Sequence, residues 1–136
     1  MTSVLEALIT YLKTIAALTT LVSTRIYGGE LPISEVASMP RKLVIVRLAG
    51  GLEVFRSARL SRVRVDVLSH GEGYYEADQV DRAVCEALMA IQRTAASSTL
   101  LQSAGYGGAF QLKEPEHGWK YYARTALIVY DERTAA

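Results

Sequence analysis

Within residues 60–69, LSRVRVDVLS, charged and apolar side chains alternate without a break from Arg62 to Val67. Successive side chains leave an extended strand in opposite directions, so Val63, Val65 and Val67 point to one side and Arg62, Arg64 and Asp66 to the other. One side of this strand must be dry. The other must be wet or covered by a partner. An antiparallel sheet with one solvated face meets that demand, whereas a parallel sheet buried on both faces does not.

The flanking segments supply the dry side with something to pack against. Residues 4–21 place Val4, Leu5, Leu8, Ile9, Leu12, Ile15 and Ala16 on one face at helical spacing, with Glu6, Thr10, Lys13 and Thr14 opposite. Ser3 with Glu6 has the S-x-x-E form of a capping box. A second amphipathic helix is expected over about 74–93, where Ala77, Val80, Val84, Leu88 and Ile91 share a face and Asp78, Arg82 and Glu86 lie opposite. Between the two, Gly28-Gly29 reads as a turn, residues 30–41 with Pro32 and Pro40 as a connecting loop, and Lys42–Ala49 as a strand. Gly50-Gly51 reads as a hairpin turn, with the return strand starting at Leu52–Phe55 and resuming at Leu60. His70-Gly71-Glu72-Gly73 should break that strand. Residues 94–108, small and glycine-containing, read as a loop, 109–113 as a short strand, Glu114–Gly118 as a turn and Trp119–Asp131 as the last strand, with the tail at about 130–136 frayed. The expected class is α+β: one domain over 1–136, an antiparallel β-sheet with two amphipathic helices packed on it.

Half of the 136 residues are hydrophobic, enough for a real core, which excludes disorder for the whole chain. The single cysteine, Cys85, allows no intrachain disulfide and fits a reducing compartment. The N-terminal segment lacks a basic start and is interrupted by Glu6 and Lys13, so it reads as an amphipathic helix, not a signal peptide. No stretch approaches the roughly 18 apolar residues of a membrane span. The expectation is a soluble, unexported chain without membrane contact.

Catalytic chemistry finds little support. His70 and His117 fall in expected turns and read as exposed loop histidines without metal-type spacing. Cys85 on a helix flank, with no basic neighbour in sequence, reads as an inert thiol. Asp66 between arginines suits an ion pair better than general-base work. None of the glycine pairs fits a phosphate-binding loop. No catalytic residue, cofactor or metal is expected.

Charge placement says more. Residues 41–64 hold Arg41, Lys42, Arg47, Arg56, Arg59, Arg62 and Arg64 against Glu53 alone, a net +6 that leaves −5 on the remainder of a chain whose total is +1. A solvated strand face explains this as well as an interface does. The interface reading is a surface meeting nucleic acid or the acidic side of a neighbouring subunit, for which the planar guanidinium fork is suited. Tyr121 and Tyr122 in the last strand point to opposite faces, and Met89 lies on the polar side of the second helix. Large amphipathic or apolar side chains on such faces suit surfaces covered by another subunit, although core packing is the default for any one of them.

In order along the chain, a helix ending LVSTRIY leads into GGELP. Met39-Pro40 then precedes KLVIVRL, VRVDVLS runs at once into the helix EADQVDRAVCEAL, and GWKYY opens an alternating final strand. Over about residues 4–131 this order and spacing resembles the tail-terminator (tail-completion) proteins of long-tailed phages and phage-like gene transfer agents. The resemblance implies a non-enzymatic virion protein assembled in the host cytoplasm. It implies a homo-oligomeric ring, hexameric in this family, on the head-proximal end of the tail. The ring would cap the tail tube protein, stop its polymerisation and meet head-completion or connector proteins. Genome DNA would pass through the lumen without sequence-specific binding. The arginine strand would then face a neighbouring subunit or the channel. A head-completion or connector protein on the portal side is the nearest alternative. A small sheet-based nucleic-acid-binding domain is a more distant one, because the arginine strand carries little aromatic character.

Overall fold

A computed structural model describes the backbone of residues 4–55, 60–96 and 99–131. Six strands form one sheet. They are β1 (Ile26–Gly28), β2 (Leu43–Phe55), β3 (Leu60–Gly71), β4 (Thr94–Ala96), β5 (Thr99–Lys113) and β6 (Lys120–Asp131), in the spatial order β1-β2-β3-β6-β5-β4. All neighbours are antiparallel except β1 with β2, which run parallel. The helices are α1 (Val4–Lys13), α2 (Ala16–Val22), α3 (Ile33–Val36) and α4 (Tyr74–Met89). The α+β class holds, with one parallel pair at the sheet edge and two more helices than the sequence pattern foretells. No single helix among the described residues is long and apolar enough to cross a membrane.

The alternating strand organises the core. Val63, Val65 and Val67 of β3 are buried with Val44 and Val46 of β2 and Ala126, Ile128 and Tyr130 of β6, the residues that the strand register sets beside them on the same face. Onto this face pack Leu8, Tyr11 and Leu12 of α1, Leu18 and Val22 of α2, and Val80, Val84 and Leu88 of α4. Each fully buried aliphatic side chain contributes about 2 kcal/mol. The Tyr11 hydroxyl donates to the Ala87 carbonyl at 2.6 Å, satisfying a buried polar group and tying α1 to the C-terminal turn of α4.

Several elements differ from the sequence reading. The single helix expected over 4–21 is two helices bent by 87°. Thr14 turns its hydroxyl back onto the Tyr11 carbonyl at 2.6 Å, and Ile15 takes an extended conformation as the cap of α2. The side chain thus competes with the helix ladder where two β-branched residues adjoin. Gly50-Gly51 is not a hairpin turn. β2 runs through it to Phe55 with register shifts between Leu48 and Glu53, the bulges that glycine favours inside a strand. Of residues 94–108, expected as a loop, 94–96 form β4 and 99–108 most of β5, with 97–98 outside the described residues. Pairing with β6 overrides their weak strand propensity, with a further register shift between Tyr106 and Ala109. Of the tail expected to fray at about 130–136, Tyr130 and Asp131 are instead buried in β6, and residues 132–136 lie outside the described ones.

The β3–α4 junction is tight. A Cβ added at Gly71 would meet the backbone nitrogen of Ala77 at 2.4 Å and backbone and side-chain carbons of Glu76 at 2.8 Å. Backbone cannot yield as a flexible side chain does. Gly71→Ala is expected to cost about 1–3 kcal/mol through overpacking, read as a lower urea midpoint at unchanged slope. An unchanged midpoint would contradict this packing.

Candidate assembly surface

The face of the sheet opposite the large core carries the charged side chains. Arg62, Arg64 and Asp66 project from β3 on that face, as the alternation requires. Arg47, the register partner of Asp66 on β2, lies beside it with Nε 3.7 Å from the carboxylate, and the Thr125 hydroxyl of β6 donates to the same carboxylate at 3.0 Å. Asp66 is therefore an ion-pair and hydrogen-bond partner within its own sheet. Arg64 is exposed, and no carboxylate lies within ion-pair distance of it among the described residues. Arg62 is half-buried. Arg56 and Arg59 lie outside the described residues.

The basic block is less one-sided in space than in sequence. Arg41 is bound to Glu35, its Nε donating at 3.0 Å, and the Tyr27 hydroxyl donates to the same carboxylate at 2.7 Å. These donors hold the Glu35 carboxyl below its ordinary range, the Arg41 hydrogen bonds contributing most, while burial and the bond to Glu35 push the Tyr27 phenol up. Two of the seven basic residues are thus met by carboxylates from outside the 41–64 segment. A third pair, missed in the sequence, lies in the core. Asp81 of α4, 2% exposed, takes both Nε and Nη2 of Arg124 from β6 at 3.1 and 2.8 Å. Helical spacing does place Asp81 beside Val80 and Val84 on the buried face, which was the available signal.

Tyr121 and Tyr122 do fall on opposite faces of β6. Tyr121 stacks on His70 at 4.9 Å on the charged side, and Tyr122 meets the Tyr74 ring edge-on at 6.4 Å on the helix side. Met89, 65% exposed at the end of α4, lies on the helix side and is not brought together with the arginines. Cys85 is half-buried, and burial with the nearby Asp81 carboxylate raises its thiol, so it is a poor nucleophile.

His70 is not an exposed loop residue. It lies in β3, 6% exposed, under Tyr121 and beside a small second core of Leu43, Ile45 and Leu68 that Tyr27, Leu31 and Met39 cover. Its Nδ1 has no hydrogen-bond partner among the described residues, and burial pushes the ring down to about 4. His117 is the more exposed one. It stacks on Trp119 at 4.2 Å in the β5–β6 turn. Side-chain atoms of Glu114, Glu116 and His117 come within 4.8 Å of one another. Glu114 nevertheless already accepts the backbone N–H groups of Glu116 and His117 at 2.9 and 2.7 Å, which closes the turn and lowers its carboxyl.

The backbone can be compared with known proteins on this footing. No protein-family model and no curated protein matches the sequence. The fold is similar to that of a chain in a solved structure described as the virion of a native gene transfer agent particle, with a TM-score of 0.65 over 94% of each chain and 17% identity. At that identity the likeness is one of fold. It covers nearly the whole chain, not one motif.

The burial of His70 has a measurable consequence. Between pH 6.5 and about 4 the unfolded chain takes up a proton that the folded chain refuses, so stability is present at neutral pH and falls as pH drops through that window. The loss amounts to about 3 kcal/mol by pH 4. Urea midpoints measured from pH 7 to 4 are expected to fall more steeply for the native chain than for His70→Gln. Parallel curves would contradict a neutral buried ring.

Proposed function

We propose that this chain is a structural virion protein of a phage-like particle. In this reading it assembles into a ring, hexameric, that caps the tail tube, ends its polymerisation and offers the head-proximal surface to head-completion or connector proteins. It works without catalysis, and genome DNA crosses the lumen without sequence-specific contacts. The observation that carries this reading is the fold likeness to a chain of a gene transfer agent virion over 94% of both chains. The order of helix, GGELP turn, arginine strand and GWKYY strand agrees with it independently.

The electrostatics suit a closed ring. Such a ring joins two different patches of the same subunit. The charged sheet face offers Arg62 and Arg64, and the α4 side offers acids such as Asp78, Glu76 and Glu86. In this arrangement the arginine strand meets either a neighbour's acidic side or the DNA channel. Arg56 and Arg59 belong to the same proposed surface by their place in the sequence, and Tyr121 is the aromatic neighbour on that face. Tyr122 and Met89 would serve contacts on the helix side.

The deciding measurement is molar mass by light scattering, alone and with tail tubes. The native chain is expected to form a ring-sized species or to bind tube ends. Arg62→Glu with Arg64→Glu is expected to abolish ring assembly or to block tail joining while leaving the circular dichroism spectrum unchanged. Normal assembly and joining by the double variant would remove these arginines from the proposal, and a strict monomer that ignores tubes would remove the ring itself.

A further inference from the structure

Two apolar rows cross the charged face of the sheet at its His70 end. The register sets Leu43, His70, Tyr121 and Leu112 side by side on β2, β3, β6 and β5, and sets Ile45, Leu68, Ala123 and Phe110 side by side in the next row. Cross-strand partners share a face, so all eight point the same way. The halves of these rows differ. On the β2–β3 side Leu43, Ile45 and Leu68 are buried beneath Tyr27 of β1 and the segment between β1 and β2, which contributes Leu31 and Met39. On the β5 side the rows stand open, with Phe110 71% and Leu112 41% exposed.

The covering segment has an outward side of its own. α3 lies within it, and Ile33 is 92% and Val36 40% exposed. These side chains are not on a loose loop. Glu35, between them in sequence, is clamped by Arg41 and by the Tyr27 hydroxyl, which fixes α3 over the sheet. One edge of the sheet therefore carries a braced apolar knob, and the opposite edge carries an uncovered apolar shelf at the same level and on the same face. Among the described residues the edge of β5 is also open there, because β4 pairs only with Thr99–Leu101.

Resting on the ring reading above, we infer that the Ile33–Val36 knob of one copy docks on the Phe110–Leu112 shelf of the next. The occupant is a second copy of this chain because each molecule holds one unmatched half of the contact at each edge. Repetition satisfies both halves at once, as a heterologous interface does. The shelf receives from the neighbour the kind of cover that the same segment already gives Leu43 and Leu68 within its own chain.

Disulfide trapping tests this in the Cys85→Ala background. Chains carrying Ile33→Cys and chains carrying Phe110→Cys, mixed and oxidised under assembling conditions, are expected to give a disulfide-linked dimer that neither gives alone, since the bond requires close Cα approach. As a second readout, Phe110→Asp is expected to lose assembly, and Ile33→Lys added to it is expected to restore part of it. If the parent chain assembles but the mixture gives no linked dimer, or Phe110→Cys links to the tube protein instead, the inference is overturned and the ring stands. If the parent chain stays monomeric alone and with tubes, both fall.

Discussion

The constraint on which the structure depends is that β3 has one dry face. Three valines on alternate positions of a central strand must be covered, and Arg62, Arg64 and Asp66, which alternate with them, keep the opposite face open along that stretch. Every helix that builds the large core therefore lies on the valine side. The buried contacts that fasten those helices serve the same end. Tyr11 on the Ala87 carbonyl and Asp81 on Arg124 fix α1 to α4 and α4 to β6, so the lid over the valines is held by directional bonds as well as by packing. A buried ion pair adds little net stability against an apolar substitute of the same shape, but removing either partner leaves the other charge buried alone.

How much of this was legible in the sequence depends on the kind of signal. The alternation at 60–69 and the amphipathic pattern at 74–93 each concern a single element, and both were readable. The bend between α1 and α2 was not, because Leu18 and Val22 fall on the same 100° face as Leu8 and Tyr11 and the period continues through the break. Gly50-Gly51 and the glycines at 105, 107 and 108 misled in the same way. A glycine marks a departure from regular backbone, and whether that is a turn or a bulge is decided by the strand alongside. His70 was misjudged because its burial comes from Tyr121 of β6 stacking on it and from the covered cluster of Leu43, Ile45 and Leu68 beside it, which local sequence does not record.

The candidate surface was half legible. The arginines of β3 stand where the alternation places them. The charge block around them does not survive intact, since Glu35 and Asp66 reach Arg41 and Arg47 from other parts of the chain. Counting charge along a segment overstates the field a folded surface presents. The apolar rows ending at Phe110 and Leu112 were invisible beforehand, because they exist only as a property of four strands in register.

The strand order carries one more consequence, which concerns time. β6 follows every other strand in the chain, yet it sits between β3 and β5 at the middle of the sheet. The β2–β3 hairpin and α4 can meet while the chain is still being made, at roughly 5–20 residues per second. β4 and β5 can pair with each other, but they cannot join the β2–β3 part of the sheet until β6 leaves the ribosome. The strand that bears Phe110 and Leu112 is thus joined to the β2–β3 part of the sheet only in the last step of its assembly. A nascent chain cannot present both edges of its sheet, so only a finished one is competent to pair with its neighbours.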